Sequence, residues 1–444
     1  MKYSIITFGC RVNQADSLGF EESLRERGAT ASPPEDADVV IVNTCSVTAS
    51  ADQGARQTIR RIARTNPSAR IVVTGCYATR RPDDVAMLPN VVRVVTNPDK
   101  DRLVGYLTTA ERFGDGEGSC GAAIEPGVAG RTAFTLRVQT GCDEQCSYCI
   151  IPSTRGLPRS LAPEKVRAEV ARVAAAGFKE IALTGVHLGS YGQDLAPPAT
   201  LFELLKSLVT PEAESLRSRP RDSEVAADAW GWGPTRVVRN ADILFRVSSL
   251  EPMDCTPEIV RLIAEHDCFA PHFHLPLQHA TNRLLEAMRR PYTIEHYALL
   301  VDDIRTRIPH AAIGSDIIVG FPGETEEDLV QLLTYLEGSP LTHLHVFPYS
   351  ERPGTEATGM ANKVPGDRIR DRARRVREVS ARLSARFHAD QIGRVFRALT
   401  IEDGSLVVTG NYLKLRIPAG IARNEWVSVR VGESSNWVVG QLGS

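Results

Sequence analysis

The sequence has no long hydrophobic run and no excess of charge, and both absences exclude whole classes of protein. No apolar stretch approaches the length of a membrane span, and the first residues form too short an apolar run for a signal peptide. Its 52 Lys and Arg residues nearly balance its 54 Asp and Glu residues, and the net charge of -2 argues against indiscriminate attraction to nucleic acid or membrane. We therefore expect a cytoplasmic protein without a membrane partner, in which any site for a polyanion is local.

The sequence also lacks a cysteine pattern typical of disulfide-bonded proteins and a motif typical of nucleotide hydrolysis. The nine cysteines are an odd number, widely spaced in a chain of 444 residues, so a disulfide framework is not expected. No Walker-type lysine follows the strand and Gly-rich loop at 181–192. The spacing of His187, His272, His274 and His279 does not match helical metal motifs, and we interpret them as core or polar-contact histidines. Reduced thiols are thus the expected source of metal or redox chemistry.

Three cysteines stand close together in the middle of the chain. Cys142, Cys146 and Cys149 form a C-x3-C-x2-C arrangement. A 4Fe-4S cluster normally takes four thiolates, so three from one loop leave one iron with an open coordination position. Structural zinc sites instead use two C-x2-C pairs that close a tetrahedron. The spacing therefore favours a catalytic iron-sulfur cluster.

Three further cysteines, Cys10, Cys45 and Cys76, each follow a short run of β-branched residues. Helical segments separate these runs, a pattern typical of a parallel sheet covered on both faces. Because ligands collect at the carboxyl ends of parallel strands, the three thiols would converge on one rim and could hold a second cluster. Three unrelated buried cysteines are the alternative. The remaining cysteines show no such pattern and are interpreted as incidental thiols: Cys120, Cys255 and Cys268.

The predicted fold class is α/β, with an N-terminal parallel-sheet domain, a central partial (β/α) barrel and a small C-terminal β-barrel. Repeated strand-helix units in the centre indicate parallel strands, with the Cys142 loop after the first strand. Short strands separated by Gly and Asn turns near the end indicate a small antiparallel barrel. The predicted segments are a domain at 1–110, a linker at 111–132, a core at 133–365, a basic helix at 366–390 and a domain at 391–444.

The central motifs resemble the radical S-adenosylmethionine (SAM) superfamily and, within it, the methylthiotransferases. The cluster spacing, with Tyr148 before the last cysteine, is similar to the superfamily signature. Further motifs similar to the methylthiotransferases lie at 150–156, 275–278, 314–325, 349–350 and 353–355, and at Cys10, Cys45 and Cys76. The C-terminal segment resembles the TRAM domain, an RNA-binding module. The resemblance spans nearly the whole chain.

This resemblance implies two 4Fe-4S clusters and SAM as cofactors. The cluster on the Cys142 loop would bind SAM at its open iron and start radical chemistry, and the N-terminal cluster would hold or deliver sulfur. Arginine suits a carboxylate through paired donors, so Arg246 is expected at the SAM carboxylate, with Ser248 near the ribose. The expected SAM contacts are Tyr148, Gly185, Arg246, Ser248, Gln278 and Asp316.

Basic residues near the C-terminus are the candidate RNA contacts. The helix at 366–390 has arginines on one face and apolar residues on the other. A solvated charged face is the structural alternative, but the TRAM-like neighbour favours RNA. Basic side chains and capture of single-stranded loops suit the anticodon arm of a tRNA better than a duplex. The candidate contacts are Arg374, Arg375, Lys414, Arg416, Arg423 and Arg430.

Some segments also have a purely structural interpretation or depart from the family pattern. Residues 320–328 fit an ordinary strand-turn-helix junction with a capping box, an interpretation compatible with the functional one. The insertion at 209–242 is expected to be a surface loop, whose Trp230 and Trp232 either stack on a base or pack on the barrel. Thr140 and His279 stand where the family has other residues, which affects the expected substrate contacts only.

By resemblance, the chain is a tRNA methylthiotransferase that converts N6-threonylcarbamoyladenosine at position 37 to its 2-methylthio derivative. The motifs at 8–14 and 75–78 are most similar to that subgroup. The alternatives are an enzyme acting on isopentenyladenosine in tRNA, one modifying an aspartate of a ribosomal protein, and a noncatalytic zinc-containing RNA-binding protein. An electron donor protein and a sulfur donor are implied partners, and the oligomeric state is left open.

Overall fold

A five-stranded parallel sheet forms the N-terminal domain in the computed structural model, which describes residues 1–107, 125–126, 132–209, 243–433 and 439–442. Its strands are β1 (Lys2–Thr7), β2 (Thr30–Ala31), β3 (Val39–Thr44), β4 (Arg70–Gly75) and β5 (Val91–Val95). They lie in the order β2-β1-β3-β4-β5. The helices are α1 (Arg11–Glu26), α2 (Ala49–Thr65), α3 (Cys76–Arg80) and α4 (Pro82–Ala86).

Helices cover both faces of this sheet, and the strand sequences reflect it. Every residue of the central strand β3 is buried, which explains its run of β-branched residues without polar alternation. Leu24 of α1 packs with Ile41 on one face, and Ile59 of α2 packs with Val40 on the other. Burial on two faces therefore leaves only the strand ends available for chemistry.

The central domain is an open barrel built from two three-stranded parallel sheets. Its strands are β6 (Phe134–Arg137), β7 (Gln139–Thr140), β8 (Arg159–Ser160), β9 (Glu180–Thr184), β10 (Leu244–Val247), β11 (His272–His274), β12 (Ala312–Val319) and β13 (His343–Pro348). Its helices are α5 (Ile151–Arg155), α6 (Pro163–Ala175), α7 (Leu201–Ser207), α8 (Pro257–Glu265), α9 (Asn282–Ala287), α10 (Ile294–Arg307) and α11 (Glu326–Gly338).

The two central sheets have the orders β10-β9-β6 and β11-β12-β13, and β7 pairs separately with β8. A parallel bridge between Phe245 and Phe269 connects the sheets between β10 and β11. Within the described part of the chain, no pairing joins β13 back to β6. The barrel is therefore open between its first and last strands.

A long helix, α12 (Gly366–Ala389), leads into a small β-barrel. The barrel strands are β14 (Val395–Ile401), β15 (Leu406–Thr409), β16 (Lys414–Arg416), β17 (Trp426–Gly432) and β18 (Val439–Leu442). They close in the order β14-β15-β16-β18-β17, and every pairing is antiparallel except that of β16 with β18. Phe387 of α12 packs into its core with Val407 and Leu415.

The C-terminal barrel covers the amino ends of the central strands. His272, the first residue of β11, contacts the ring of Tyr412, with 5.1 Å between the ring centroids. Asn411 donates a hydrogen bond to the carbonyl of His310, just before β12, at 2.9 Å. With this end closed, the carboxyl ends of the central strands are the available site for chemistry, as in other parallel barrels.

The N-terminal domain spans the open side of the central barrel through two buried carboxylates. Asp16 of α1 pairs with Lys100 at 2.6 Å and with Arg137 of β6. Asp52 of α2 pairs at 2.9 Å with Arg352, which follows β13. Both carboxylates are almost fully buried, so loss of their cationic partners would leave an unpaired buried charge. These ion pairs hold the N-terminal domain across the gap between β6 and β13.

The predicted fold class is confirmed: an N-terminal parallel-sheet α/β domain, a central partial (β/α) barrel and a small C-terminal β-barrel. The domain boundaries stay predictions. Nearly all of the predicted linker at 111–132 and of the insertion at 209–242, with its two tryptophans, lies outside the described residues, as does Cys120. None of the helices that the structure describes is both long and apolar enough to cross a bilayer.

Candidate functional site

The loop that carries Cys142, Cys146 and Cys149 begins at Gly141, directly after β7. Gly141 has a φ of 80°, and a Cβ there would lie 2.0 Å from the carbonyl oxygen of Leu157. The backbone N–H of Cys142 donates to the carbonyl of Gly156 at 3.0 Å. Glycine is therefore required at the start of the loop, because the backbone here passes directly over the end of α5.

Burial favours the protonated form of two thiols on this loop, those of Cys149 and Cys146. It raises the pKa of Cys149 to about 12, and repulsion from the neighbouring thiolates of Cys146 and Cys142 adds to the rise. Burial also raises the pKa of Cys146. A bound metal ion reverses this preference, because coordination favours the thiolate. These two thiols, together with that of Cys142, fit a site in which iron supplies the compensating positive charge.

A buried arginine contacts the Cys142 loop. Arg290 donates a hydrogen bond from Nη1 to Sγ of Cys146 at 3.1 Å, and it also pairs with Glu251. Its Nε donates to the hydroxyl of Tyr292 at 3.1 Å, and that hydroxyl donates to the carbonyl of Pro276 at 2.7 Å. Burial raises the pKa of Glu251, and the charge of Arg290 opposes that rise. The chain thus provides a fixed cation beside one cluster thiol, which the sequence analysis missed.

His187 forms a second polar contact at this site. Its Nε2 lies 2.9 Å from Oδ2 of Asp254. Burial lowers the pKa of His187, but the hydrogen bond with Asp254 and the negative charges of Asp254 and Cys142 raise it to about 10. A Cβ on Gly189 would lie 1.8 Å from Oδ2 of Asp254, so the loop must carry glycine there. His187, interpreted from the sequence as a core or polar-contact residue, is a polar contact of Asp254.

Gly185 lies at the carboxyl end of β9, beside the Cys142 loop. A Cβ there would lie 2.9 Å from Oε1 of Gln139. The same oxygen accepts hydrogen bonds from the backbone N–H groups of Val186 and His187, both at 2.9 Å. The Gly185 segment is therefore held against the strand that leads into the cysteine loop, where we predicted a SAM contact.

The surroundings of Arg246 contradict the role that the sequence predicted for it. We predicted that it contacts the SAM carboxylate, but its side chain is 0% exposed and its Nε donates to Glu180 at 2.8 Å. Its Nη1 donates to the carbonyl of Gly410 at 2.8 Å, and its guanidinium lies over the ring of Tyr412. The guanidinium therefore pairs with Glu180 and with the C-terminal barrel, so Arg246 is a structural residue.

The other predicted SAM contacts occupy different surroundings. The Oγ of Ser248, at the end of β10, is buried without a hydrogen-bond partner in the described part of the chain, so it is available to a ligand. Tyr148 packs edge-on against Phe321. Gln278 has a φ of 68°, and its backbone N–H donates to the carbonyl of Asp316 at 2.8 Å. The carboxylate of Asp316 is hydrogen-bonded to histidines within the barrel rather than to this loop.

Cys10, Cys45 and Cys76 follow β1, β3 and β4, which are neighbours in the N-terminal sheet. Cys10 is exposed and the other two are buried. A Cβ on Gly9 would lie 2.6 Å from Sγ of Cys45, so the backbone before Cys10 contacts that thiol directly. Burial raises the pKa of Cys45 to about 11, and the charges of Cys76 and Cys10 add to the rise. The structure places the three thiols on one rim, as the strand pattern predicts.

The short helix α5 connects the two sets of cysteines. Asn97 donates hydrogen bonds to the carbonyl of Thr154 at 2.9 Å and to Sγ of Cys76 at 3.8 Å. Burial lowers the pKa of Arg155, but the charges of Cys76 and Asp16 raise it overall. The guanidinium of Arg155 is therefore a buried positive charge near Cys76. The first cysteine loop and the second set of thiols are thus coupled through one helical turn.

Four of the six candidate RNA contacts are exposed, Arg375 and Arg423 are half-buried, and several of the six already have partners. Arg374 pairs with Asp371 and Glu378, both at 2.6 Å, and Arg375 pairs with Glu326 at 2.5 Å. In the C-terminal barrel, Arg423 donates to the carbonyl of Glu402, Arg430 to that of Gly393, and Lys414 and Arg416 are exposed on β16. Arg374 and Arg375 of α12 are therefore already neutralised by neighbouring carboxylates.

Comparisons with known proteins agree with this geometry. Residues 2–97 match an uncharacterized protein family, UPF0004, and residues 136–336 match the Radical SAM superfamily. The chain is similar to a structure of the radical SAM methyltransferase TsrM from Kitasatospora setae with cobalamin and a 4Fe-4S cluster bound. The TM-score is 0.54 with 16% identity, covering 80% of this chain and 77% of that chain, a likeness of fold alone.

Curated relatives cover nearly the whole chain. It is 34% identical to the threonylcarbamoyladenosine tRNA methylthiotransferase MtaB of Aquifex aeolicus, over 94% of this chain and 96% of that protein. It is 31% identical to the tRNA-2-methylthio-N(6)-dimethylallyladenosine synthase of Thermobifida fusca, over 90% of this chain and 78% of that protein. Membership of the Radical SAM superfamily implies SAM and a 4Fe-4S cluster as cofactors. With the Cys142 loop at the mouth of an open parallel barrel, this chain belongs to the MtaB-like family of radical SAM methylthiotransferases.

Proposed function

We propose that this protein converts N6-threonylcarbamoyladenosine at position 37 of tRNA to its 2-methylthio derivative, with SAM as radical source and methyl donor. The observation that carries the proposal is the 34% identity to a threonylcarbamoyladenosine tRNA methylthiotransferase over 94% of the chain. The coupling of two cysteine sets through α5 supports it, because the reaction must break a carbon-hydrogen bond and deliver sulfur at one position.

In this proposal the Cys142 loop holds the radical cluster through Cys142, Cys146 and Cys149. A 4Fe-4S cluster held there would supply, together with SAM, the one-electron chemistry that removes the C2 hydrogen of the adenine. Arg290 offsets the negative charge at Cys146 through its hydrogen bond. We propose that SAM is contacted by Tyr148, Gly185, Ser248 and Gln278.

The second cluster and the accessory partners belong to the same proposal. Cys10, Cys45 and Cys76 would hold a second 4Fe-4S cluster that carries or delivers sulfur, with a sulfur donor and an electron donor protein as partners. Asn97 and Arg155 support this site, because each places a hydrogen-bond donor or a positive charge beside Cys76. The core at 133–365 would hold the radical chemistry, and the barrel at 391–444 would bind the anticodon arm with its basic residues.

Methylthiolation of dimethylallyladenosine, also called isopentenyladenosine, is the second candidate. The identity of 31% to the enzyme from Thermobifida fusca is close to the 34% that supports the first candidate. The two nucleosides differ in polarity at N6, because threonylcarbamoyl is anionic whereas dimethylallyl is apolar. The substrate test must therefore compare the two directly.

Reconstitution under anaerobic conditions tests the cofactors and the substrate together. The purified protein should gain iron and labile sulfide and absorb visible light, and it should form the methylthio nucleoside on tRNA bearing threonylcarbamoyladenosine, as detected by nucleoside mass spectrometry. Product on tRNA bearing dimethylallyladenosine alone would establish the second candidate instead. A colourless protein with about one tightly held zinc and no sulfide would reject the radical reaction.

A further inference from the structure

Three polar side chains form a connected group inside the barrel, apart from the cysteine loops. Asp316 accepts a hydrogen bond from Nε2 of His274 at 2.9 Å and lies 3.3 Å from Nδ1 of His345. The strand register explains the contact, because Asp316 and His345 are directly opposite each other on β12 and β13. Ile313 and Ile317 of β12 pack in the apolar core, so Asp316 faces the inside of the barrel. We name this the His274-Asp316-His345 group.

The group is open to the gap between β13 and β6. His345 lies on β13, the last strand of the open barrel, and its side chain is 57% exposed. Asp316 itself is held ionised, because burial raises its pKa but the hydrogen bonds from His274 and His345 outweigh that effect and lower it overall. A ligand that enters through the gap therefore meets a carboxylate and an imidazole with little rearrangement.

Arg11 lies on the β6 side of this gap, near enough for its charge to act on the group. It is the first residue of α1, next to Cys10, and α1 packs against β6. Its partly buried guanidinium has no hydrogen bond or ion pair with any residue in the described ranges. Its charge still reaches the barrel: the hydrogen bond with Asp316 raises the pKa of His345, and Arg11 opposes that rise. A cation without a partner in the described ranges thus stands beside the N-terminal cysteines and within electrostatic range of the group.

The chemistry of these side chains favours an organic anion with additional polar atoms. A guanidinium forms paired hydrogen bonds with a carboxylate, and a carboxylate such as that of Asp316 accepts from N–H or O–H groups. Two histidines and one aspartate can also bind a divalent metal ion. The unpaired positive charge of Arg11 nearby would repel such an ion, so the organic anion is the better match.

We propose that the space between Arg11 and the His274-Asp316-His345 group binds the threonylcarbamoyl substituent of the substrate, with Arg11 paired to its carboxylate. This inference rests on the proposed function, since it takes threonylcarbamoyladenosine as the substrate. The substituent carries a carboxylate for Arg11 and hydroxyl and urea N–H donors for Asp316. A dimethylallyl group offers none of these atoms, so Arg11 determines which nucleoside the enzyme prefers.

The test is the binding preference of the reconstituted protein for two tRNAs that are identical except at position 37. One carries threonylcarbamoyladenosine and the other adenosine, and the ratio of their two Kd values cancels any general loss of RNA binding. The wild-type protein should prefer the modified tRNA about 10- to 100-fold, the range expected for a charge-assisted hydrogen bond to a carboxylate. Arg11→Gln should reduce that ratio to about one, and Arg11→Lys should retain part of it because it keeps the charge.

Arg61→Gln is the matched control, because Arg61 is exposed on α2 and lies outside the gap. It should keep the wild-type ratio. A wild-type protein without preference, or an Arg11→Gln protein with the full preference, would overturn the inference. Loss of the preference on treatment with a chelator that leaves the clusters intact would identify a bound cation and would also overturn it. Failure of the proposed function is seen separately, as a wild-type enzyme that makes no methylthio product on the modified tRNA.

Discussion

Arg290 donates a hydrogen bond from Nη1 to Sγ of Cys146 at 3.1 Å, across a separation of 144 residues in the chain. Arg290 is itself buried and paired with Glu251, so it cannot turn away to solvent. Hydrogen bonds to cluster sulfurs and nearby charge are two of the features by which a protein sets the reduction potential of an iron-sulfur cluster. Arg290 is therefore placed to tune the cluster that starts the reaction.

Replacing Arg290 should slow the first step of the reaction. Arg290→Lys keeps a positive charge but cannot reproduce the three contacts of the guanidinium with Cys146, Glu251 and Tyr292. We expect a lower reduction potential for the cluster and about a tenfold fall in SAM cleavage, since one charge-assisted hydrogen bond is lost. Redox titration followed by electron paramagnetic resonance, and the yield of 5'-deoxyadenosine, measure the two effects.

Arg289→Lys is the control for that substitution, because the neighbouring Arg289 is half-exposed and pairs with Glu356 at the surface. It should leave both the potential and SAM cleavage as in the wild type. Equal behaviour of the two variants would show that the hydrogen bond to Cys146 has no influence on the cluster.

Loss of a thiol from the Cys142 loop should abolish SAM cleavage. Cys146→Ala removes one of three ligands for the radical cluster, and we expect the protein to lose the iron of one cluster and to form no 5'-deoxyadenosine. Iron and sulfide analysis with product chromatography checks both. Cys268→Ala, at an incidental thiol, should retain wild-type values. Normal 5'-deoxyadenosine production by Cys146→Ala would mean that the loop does not hold the radical cluster.

Loss of a thiol from the N-terminal rim should separate the two halves of the reaction. Cys45→Ala should keep SAM cleavage, because the Cys142 loop is intact, yet fail to form the methylthio nucleoside. Parallel assays for 5'-deoxyadenosine and for the modified nucleoside distinguish these steps. A Cys45→Ala protein with full methylthio product would remove the N-terminal thiols from the proposed mechanism.

Stability should fall in mild acid because of the buried residue His279. Burial lowers its pKa to about 4, and its Nδ1 accepts a hydrogen bond from the backbone N–H of Thr281 at 3.2 Å. The unfolded chain, with a histidine pKa near 6.5, binds a proton first, so this contribution is complete above pH ~6.5 and is lost as the pH falls towards 4. We expect a loss of about 1 kcal/mol between pH ~7 and ~5.5.

Urea unfolding of the wild type and of His279→Asn over this pH range measures the effect. The clusters add their own acid sensitivity, but both proteins share it, so the difference between the two curves isolates His279. The variant should lose about 1 kcal/mol less than the wild type over this range. Parallel curves for the two proteins would contradict the assignment.

Binding of tRNA should depend more on the C-terminal barrel than on α12. Lys414 is exposed on β16, and Lys414→Glu should weaken tRNA binding severalfold and reduce the dependence of log Kd on log salt concentration by about one. Reversal of charge at both Arg374 and Arg375 should have a smaller effect, because Asp371, Glu378 and Glu326 already pair with them. Filter binding at several salt concentrations compares the variants.

Lys206→Glu is the control for general electrostatics, since Lys206 is exposed on α7 in the central domain. It should change affinity less than Lys414→Glu does. A larger loss of tRNA affinity for the Arg374 and Arg375 double variant than for Lys414→Glu would show that α12 contacts the RNA. It would also reject the C-terminal barrel as the main contact.

Local patterns predicted the parts of the site whose geometry is local. The C-x3-C-x2-C spacing identified one loop, and three strand-end cysteines predicted one rim, because neighbouring parallel strands end at the same edge. Arg246 was assigned wrongly because its contacts are with residues far away in the sequence. Its position on a strand was predicted, but its partners are carbonyls of a barrel more than 160 residues later in the chain.

By itself, the sequence determined the fold class, the two sets of cysteines and the resemblance to the methylthiotransferases. It could do so because the periodicity of hydrophobic residues and the spacing of cysteine ligands are properties of short segments. Only the tertiary structure decided which side chains surround those segments. The positions of Arg290 beside Cys146, of Arg155 near Cys76, and of Arg11 within electrostatic range of the His274-Asp316-His345 group all depend on how separate segments pack together. Docking depends on buried ion pairs such as those of Asp16 and Asp52, whose partners no local pattern identifies.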